Sequence, residues 1–380
     1  MNICRKLALN GLVASNTAFT SVTKEFKRST MALRSFDMVS EKAKMMDTWP
    51  TIVDSLAKHP RFEELPVAKE WMKKVLNYTV PGGKLSRGLT TVMSFKLVEN
   101  PEDLTDDMIH RAQTLGWCSE MLQAYCTVLD DIVDGSTTRR GMPCWYRRED
   151  VGIINAINDA TLIYTCLHQL LKDNFETMPI YKKLYQSFND TLMYTSIGQF
   201  LDVRGSQHKK NYDLFTNKAY EDIVIYKSAY YTFNLPISIG LMLTNRVTDE
   251  SLQHCKEISL QLGKLFQMQD DYIDCFGDEL FTGKIGTDIQ EGKCTWLAVN
   301  ALQRCNVNNR AVFVACYGSS EPAHVERIKN LYIQLQIPQL YKQEEQNICN
   351  NIKSKIESVP SPAERELYQK VLDLTYDRKK

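Results

Sequence analysis

The sequence predicts an all-α protein built as one large domain. From residue 37 onward, apolar residues recur at steps of three and four, and no segment keeps the alternation of period two that marks a β-strand. Length alone, at 380 residues, would suggest two or three domains. No Gly-, Ser- or Pro-rich linker divides the chain, and no charge block or internal repeat interrupts it. We therefore expect many helices packed around a shared core.

Each predicted helix ends at residues that stop a helix. In the first half, helices over roughly 37–58, 63–78, 84–99, 104–134, 151–174 and 177–204 are separated by His59-Pro60, Pro81-Gly82-Gly83, Asn100-Pro101, Gly135 and Met178-Pro179. In the second half, the pattern continues over roughly 215–244, 247–275 and 288–303, with shorter helices up to residue 376. Pro236 lies inside the 215–244 segment, where it should kink or break the helix.

Composition excludes several classes of function. The formal net charge is zero, so no basic field favours nucleic acid. No apolar run reaches the roughly 18 residues that a membrane span needs. The eleven cysteines are odd in number and show no paired metal-ligand spacing, so we expect free thiols in a reducing compartment.

Residues 1–36 differ from the rest of the chain. Six basic residues face a single acid, Glu25, among many Ser, Thr and Ala. This composition is typical of a mitochondrial transit peptide and equally of an ordinary disordered leader. Met31 would serve as an internal start that leaves a cytosolic form. We expect a cytoplasmic or mitochondrial protein whose fold begins at residue 37.

An acidic cluster stands at the end of the 104–134 helix. Asp130 and Asp134 are four apart and share a helix face, with Asp131 beside them. Such close carboxylates repel one another unless a cation lies among them, and oxygen ligands suit Mg²⁺ rather than Zn²⁺. Arg139 and Arg140 follow, and guanidinium groups match phosphate oxygens. A lone cluster of this kind would also be typical of a solvated surface.

The cluster occurs twice. Asp270, Asp271 and Asp274 repeat the spacing 140 residues further along, again after an apolar helical approach. Buried carboxylates must be paired or must coordinate metal. Because two copies are hard to explain as surface decoration, we predict a metal site with six aspartate ligands.

The chain resembles the farnesyl diphosphate synthase family of short-chain head-to-tail prenyltransferases. The resemblance spans about residues 40 to 380 in family order, through PGGKLSRG at 81–88, LDDIVDGSTTRRGMPCW at 129–145, GQFLD at 198–202, YKSAYYTFNLP at 226–236 and FQMQDDYIDCFGDELFTGKIGTDIQEGKCTW at 266–296. It implies one isoprenoid-synthase helical bundle over 37–380, with two facing aspartate motifs around a central cavity. It also implies a homodimer and about three Mg²⁺ ions per site, with Mn²⁺ or Co²⁺ as substitutes.

The resemblance further implies two substrate sites. Isopentenyl diphosphate would bind Lys84, Arg87 and Gln123, although the two cations alone would suggest a surface turn. Catalytic roles fall to the six aspartates and Lys227. The other residues expected to bind substrate are Arg139, Arg140, Ser228 (where the family usually has threonine), Gln267, and Lys284 and Lys293 of a glycine-punctuated loop. The basic end Arg378-Lys379-Lys380 resembles the tail that folds over the homoallylic site in many members.

The implied activity is head-to-tail condensation of isopentenyl diphosphate with dimethylallyl or geranyl diphosphate. Metal-assisted ionisation of the allylic diphosphate would give a cation that the isopentenyl double bond attacks. Product length would be set beneath the first aspartate motif by Tyr125, Cys126 and Leu129. Cys126 should deepen the pocket and Leu129 should narrow it, so farnesyl is the default while C10 and C20 products stay open.

Two other functions compete with this one. Some relatives are terpene synthases (lyases), which ionise geranyl or farnesyl diphosphate without condensation. Loss of residues that bind isopentenyl diphosphate is expected there, but Lys84, Arg87 and Gln123 are present. A non-catalytic partner subunit would be expected to lose one aspartate motif, and both are intact.

Overall fold

The predicted helical periodicity is realised along nearly all of the chain that the computed structural model describes, which is residues 36–207, 211–277 and 286–376. The α-helices are α1 (Met38–Ala57), α2 (Pro66–Thr79), α3 (Ser86–Val98), α4 (Asp106–Asp134), α5 (Gly152–Phe175), α6 (Tyr181–Gln207), α7 (Asn217–Ile223), α8 (Leu235–Met242), α9 (Asp249–Phe276), α10 (Asp288–Glu291), α11 (Trp296–Arg304), α12 (Val307–Cys316), α13 (Pro322–Gln334), α14 (Ile337–Ser358) and α15 (Pro362–Tyr376). A π-helical segment, Val224–Asn234, joins α7 to α8.

The two aspartate helices begin at well-formed caps. At α4 the Thr105 side chain accepts a hydrogen bond from the Met108 N–H, and at α9 the Thr248 side chain accepts one from Ser251. These caps satisfy amides that the first turn of a helix leaves unpaired. Gly135 ends α4 with a φ of 67°, a left-handed conformation that glycine adopts without strain. The first aspartate motif therefore occupies the last turns of a long, firmly bounded helix.

A small hairpin follows α4. Strands β1 (Thr138–Arg139) and β2 (Met142–Pro143) pair antiparallel, and they are the only strands in the part of the chain that the structure describes. Arg140 and Gly141 form the turn, with φ values of 56° and 74°. Two positive φ values are the signature of a type I′ hairpin turn. The turn sends Arg139 and Arg140 in different directions from neighbouring positions.

Helix α4 lies at the centre of the bundle. It packs between α3 and α5, and residues 112–122 are buried on every side. The second aspartate helix, α9, packs on the π segment, which in turn packs on α6. The core falls into three apolar clusters, one around α4, one between α9 and the two last helices, and one around α11–α13. The carboxyl ends of α4 and α9 approach one another across the π segment.

The break in the 215–244 helix is wider than expected. We expected a kink at Pro236, but the backbone leaves α-helical geometry from Val224 to Asn234, and α8 restarts at Leu235. Neighbouring helices press closely on this segment. A Cβ at Gly198 of α6 would lie only 2.0 Å from the Lys227 backbone nitrogen, and one at Gly263 of α9 only 2.2 Å from the Ala229 Cβ. The π segment therefore lies between α6 and α9, and each of these helices meets it at a glycine, which has no side chain.

Two further expectations meet the structure. Helix α3 begins at Ser86 and not at the expected residue 84, so Lys84 precedes the helix while Arg87 lies in it, and Leu85 adopts a φ of 53°. The cysteines in the described ranges are all free thiols, as expected. Within those ranges, no helix combines the length and apolarity that crossing a membrane requires.

Candidate active site

The first aspartate cluster is already paired with cations. Arg139 donates from Nε to Asp131 Oδ1 at 3.0 Å and makes a second, shorter contact through Nη2. Asp130 accepts from Gln199 Nε2 at 3.1 Å and lies 3.2 Å from Lys227 Nζ. Asp131 is buried, whereas the other two carboxylates keep some exposure. The hairpin thus positions Arg139 beside the aspartates of α4.

Two lysines join this cluster to an acid on α6. Lys227 Nζ donates to Asp202 Oδ2 at 2.5 Å. Lys293 Nζ donates to Asp134 Oδ2 at 2.7 Å and lies 3.7 Å from Asp202 Oδ2. Burial opposes ionisation of both lysines, but Asp202 and the aspartates of α4 outweigh it and raise the pKa of each ammonium. Both lysines therefore stay charged, and Asp202 holds them over the first motif.

The second cluster is held by a chain of hydrogen bonds. Ser228 Oγ donates to Gln267 Oε1 at 2.8 Å, and Gln267 Nε2 donates to Asp271 Oδ1 at 2.9 Å. The other oxygen, Asp271 Oδ2, accepts from the Trp296 amide at 2.8 Å. Asp274 Oδ1 accepts from the Asp288 amide at 3.1 Å. The predicted serine and glutamine therefore lie beside the second motif.

The two motifs face one another. Neighbouring residues of the π segment reach both, because Lys227 contacts Asp130 while Ser228 connects through Gln267 to Asp271. The 292–296 turn does the same, since Lys293 contacts Asp134 and the Trp296 amide contacts Asp271. Two separate links thus bring the carboxyl ends of α4 and α9 to one site.

Electrostatics at the site show an excess of close carboxylates. Burial raises the pKa of Asp134, and the neighbouring Asp130 raises it further. Burial likewise raises the pKa of Asp271 to about 7, although hydrogen bonds from Gln267 and Trp296 oppose the shift. At Asp130, burial is outweighed by Lys227 and Lys293, which lower its pKa. A cation that entered between the motifs would relieve the repulsion that raises the first two values.

These side chains suit a hard divalent cation. All six donors are carboxylates, which Mg²⁺ and similar ions prefer. Within the described ranges, however, no three of the carboxylates, thiols or imidazoles are already grouped as a metal site. Lys227 and Lys293 lie against Asp130 and Asp134 instead. The donor set therefore fits a cation, and the lysines must give way when one binds.

A second group of polar side chains, called the Arg87 pocket below, surrounds Arg87 of α3. Arg87 Nη2 donates to Thr232 Oγ1 at 2.8 Å, and its guanidinium carbon lies 4.4 Å from the centre of the Tyr231 ring. The buried Arg87 Nε has no hydrogen-bond partner among the described residues, and neither has the amide oxygen of Gln123. Lys84 is exposed at the entrance. This pocket holds a fixed guanidinium with an unused donor, which suits an anion.

Arg140 belongs to the second pocket rather than to the aspartates. It packs on the glycine turn, where a Cβ at Gly83 would lie 2.9 Å from the Arg140 Cζ. Arg140 and Arg87 both interact electrostatically with Glu120, a buried acid of α4 that accepts from the Gly88 amide at 2.8 Å. The glycines at 82 and 83 therefore allow the guanidinium to lie against the backbone.

Sequence reasoning missed Glu120 and gave Asp202 no role. Asp202 was visible as the last residue of GQFLD, but nothing in that spacing shows that two lysines converge on it. The signal for Glu120 was a single charged residue within residues 112–122 of α4, all of which are buried. A buried charge without a local partner indicates a distant one.

The three predicted chain-length residues lie on one face of α4. Tyr125, Cys126 and Leu129 are partly accessible, in line with Asp130, while neighbours such as Val128 are buried. The Cys126 thiol interacts electrostatically with both Arg87 and Asp130, and burial raises its pKa to about 12. Its position is therefore between the two pockets. Lys284 and the Arg378-Lys379-Lys380 tail lie outside the described residues.

Comparison with known proteins agrees with this geometry. A family model described as "Polyprenyl synthetase" matches residues 69–335. The chain is 38% identical to Farnesyl pyrophosphate synthase 1 of Cannabis sativa, over 90% of this chain and 100% of that protein. It is 39% identical to Farnesyl pyrophosphate synthase of Nezara viridula, over 92% and 86% of the two chains.

A solved structure shows the same fold. The structure titled T. Brucei Farnesyl Diphosphate Synthase Complexed with Risedronate matches with a TM-score of 0.83 and 32% identity, covering 89% of this chain and 99% of that one. The expected all-α isoprenoid-synthase fold is confirmed. On these similarities and on the two facing aspartate motifs, the chain belongs to the polyprenyl synthetase family, among the farnesyl diphosphate synthases.

Proposed function

We propose that this chain is a prenyltransferase that condenses isopentenyl diphosphate with dimethylallyl or geranyl diphosphate to give farnesyl diphosphate. The family and its relatives named farnesyl pyrophosphate synthase support the activity. The observation that carries it is that cationic side chains form two separate groups, Lys227 and Lys293 beside the aspartate motifs and Arg87 with Arg140 around Glu120. A condensing enzyme needs a place for each of two diphosphates, and a lyase needs only one.

The allylic diphosphate belongs between the aspartate motifs. Lys227, Lys293 and Arg139 would bind its oxygens, and Ser228 with Gln267 would orient Asp271. Lys284 is proposed here from the sequence alone. Divalent cations bound by the six aspartates would neutralise the leaving group, which makes diphosphate departure feasible. We propose Mg²⁺, about three ions per site, with Mn²⁺ or Co²⁺ as replacements.

The homoallylic diphosphate belongs in the Arg87 pocket. Arg87 supplies an unused Nε donor, Arg140 supplies a guanidinium beside the glycine turn, and Lys84 stands at the entrance. Gln123 now donates from Nε2 to Thr127 Oγ1 at 2.7 Å, and the diphosphate would compete for this amide donor. The isopentenyl chain would then run toward Cys126 and meet the allylic carbon below Asp130. The departing diphosphate would accept the proton released after attack, since no histidine or cysteine is proposed as a base.

A kinetic comparison of two variants tests the two-pocket assignment. Arg87→Ala should raise the KM for isopentenyl diphosphate on the order of tenfold or more, because a charge-assisted contact is lost, with a much smaller effect on the allylic KM. Lys227→Ala should do the reverse. Lys84→Ala should resemble Arg87→Ala more weakly, because Lys84 is exposed. Equal changes in both KM values for either of the first two variants would contradict separate pockets.

We further propose a homodimer. Apolar side chains remain exposed on neighbouring helices α5 and α6, including Ile154 at 85% and Phe200 at 62% exposure. An apolar face of this kind is typical of an interface between subunits. The other exposed apolar residues of the two helices are Ile153, Ile157, Tyr185, Met193 and Ile197.

The leader supports a proposal about location. Residues 1–35 lie outside the described part of the chain, and α1 is capped by Asp37 just after that part begins. The chain is 37% identical to Farnesyl pyrophosphate synthase 1, mitochondrial, of Arabidopsis thaliana. We propose that residues 1–36 direct a fraction of the protein to mitochondria and that the 37–380 domain also functions in the cytoplasm. Fusing residues 1–36 to a fluorescent reporter tests this, and a purely cytosolic signal would contradict it.

A further inference from the structure

The pocket wall below Asp130 is continued by side chains from two other helices. The Tyr125 ring of α4 packs on the Tyr164 ring of α5, with ring centroids 5.3 Å apart. The Tyr164 hydroxyl donates to Asn189 Oδ1 of α6 at 2.9 Å. Tyr125 is therefore backed by a second ring that is itself tied to a third helix.

The space behind Tyr164 is filled as well. The ring of His168 meets Tyr164 edge to face, with centroids 4.5 Å apart, and Tyr185 follows at 4.8 Å from His168. Tyr185 lies at the outer end of this row and is 45% exposed. The row thus runs from the pocket to the surface, and Tyr164 has little freedom to retreat when Tyr125 is pushed.

The hydrogen bond that fixes Tyr164 is durable. Burial raises the pKa of Tyr164 to about 12, so the phenol stays protonated and continues to donate to Asn189 across the ordinary pH range. The Tyr164 hydroxyl also interacts electrostatically with Cys126, which places it near the residue expected to meet the growing chain. A rigid backing ring at this position limits how far the Tyr125 ring can yield.

We propose that Tyr164 is a specificity-determining positioning residue: by packing on Tyr125 and bonding to Asn189, it fixes the floor of the prenyl pocket and stops elongation at the farnesyl stage. This inference rests on the proposed prenyltransferase function and on the pocket lying beneath Asp130. Neither Tyr164 nor Asn189 belongs to any of the motifs that identify the family here.

Three variants test the proposal by product length. Tyr164→Ala removes the backing ring and should raise the ratio of C20 to C15 products roughly tenfold, which corresponds to about 1.4 kcal/mol in relative barrier height. Tyr164→Phe keeps the ring and loses the hydrogen bond, so the ratio should rise only about two- to fivefold. Asn189→Leu removes the acceptor and should match Tyr164→Phe. The KM for isopentenyl diphosphate should stay unchanged in all three.

Two controls separate positioning from general loosening of the fold. Phe175→Ala removes a fully buried ring from the far end of the same helix as Tyr164 and should leave the product distribution as in the wild type. Adding Tyr164→Phe to Tyr125→Ala should have no further effect, because the ring that Tyr164 positions is absent. Should Tyr164→Ala not fold, Tyr164→Phe and Asn189→Leu still carry the test through the same ratio.

The outcomes are distinct. An unchanged product ratio in Tyr164→Ala or in both milder variants, alongside longer products in Tyr125→Ala, overturns the role of Tyr164. Equal shifts in Phe175→Ala and Tyr164→Ala also overturn it, since the effect would then be one of stability. Failure of the proposed function looks different, because the wild-type protein would then consume no isopentenyl diphosphate.

Discussion

Single carboxylates of the two motifs are predicted to control turnover. Asp130→Ala removes one proposed metal ligand and should lower turnover on the order of 10³-fold, because charge on the leaving group is no longer neutralised. The fold should survive, since Lys227 keeps its contact with Asp202. Steady-state turnover and the melting temperature of purified protein measure both effects. Asp107→Ala, an exposed acid on the same helix, is the matched control and should keep wild-type turnover.

The second motif should behave in the same way. Asp270→Ala is expected to lower turnover about as much as Asp130→Ala, because each proposed cation needs ligands from both helices. Near-wild-type turnover in Asp270→Ala would contradict a site shared by the two motifs.

Asp271 makes the stability of the metal-free protein depend on pH. Burial raises its pKa to about 7, whereas an aspartate in an unfolded chain titrates near about 3.9. The folded chain therefore binds more protons between these values, so the contribution of this group is full at low pH and is lost as the pH rises through about 7. In buffer free of divalent cations, the free energy of unfolding should fall between about pH 4 and about pH 7 more steeply than in Asp271→Ala. Urea denaturation at several pH values checks this, and equal slopes would contradict it.

We expect product length to depend on side chains beneath the first motif. Cys126→Phe adds a ring where the growing chain should pass, and overpacking there costs about 1–3 kcal/mol. The partitioning between product release and another addition should therefore shift toward shorter products by a factor of roughly 5 to 150. Tyr125→Ala should lengthen them, and Leu129→Ala should reduce any C10 fraction. Chromatography of dephosphorylated products at fixed metal and substrate ratio measures the shift. Unchanged products in both Cys126→Phe and Tyr125→Ala would place the limit elsewhere.

At the scale of elements, the π segment is the part that sequence periodicity describes least well. Periodicity predicted one helix over 215–244 with a kink at Pro236, because proline is the strongest helix-breaking residue in that segment. The wider departure follows from contacts with Gly198 and Gly263, which lie far away in the sequence. The result is that Lys227 and Ser228 point to different aspartate motifs from adjacent positions.

The variant Gly198→Ala tests the close contact between α6 and the π segment. A Cβ there would lie 2.0 Å from the Lys227 nitrogen, so Gly198→Ala must push the π segment away. We expect a loss of about 1–3 kcal/mol in stability and a raised KM for the allylic substrate, because Lys227 moves with the segment. Gly205→Ala on the same helix is the control, since its Cβ would meet the nearest atom at 3.6 Å, an ordinary contact. Similar melting temperatures and KM values for the two variants would contradict the importance of this close contact.

Across the whole molecule, the sequence predicts the helices better than it predicts which side chains pair with one another at the site. Helix ends marked by Gly, Pro or a capping Thr lie close to the predicted positions, because these residues act locally. Arg139 and Lys227 were predicted as diphosphate ligands, yet their present partners, Asp131 and Asp202, depend on how distant helices pack. Glu120 and Tyr164 belong to the same class, since each acts on a residue from another helix.

The exposed apolar face predicts the state of the whole protein in solution. If α5 and α6 form a subunit interface, sedimentation should show a dimer, and Ile154→Asp combined with Phe200→Asp should shift it toward monomer, because burying two carboxylates is costly. Val307→Asp introduces a charge at a residue that is 86% exposed at the start of α12 and should leave the dimer intact. A wild-type monomer would contradict the homodimer.

The most direct measurement of the central claim supplies purified protein with Mg²⁺, labelled isopentenyl diphosphate and either dimethylallyl or geranyl diphosphate, and analyses products before and after dephosphorylation. Condensation predicts that label enters farnesyl diphosphate, with two isopentenyl units consumed per dimethylallyl and one per geranyl unit. Omitting isopentenyl diphosphate should then leave the allylic substrate unchanged. Hydrocarbons or alcohols formed from geranyl or farnesyl diphosphate without uptake of label would contradict the claim and identify a lyase.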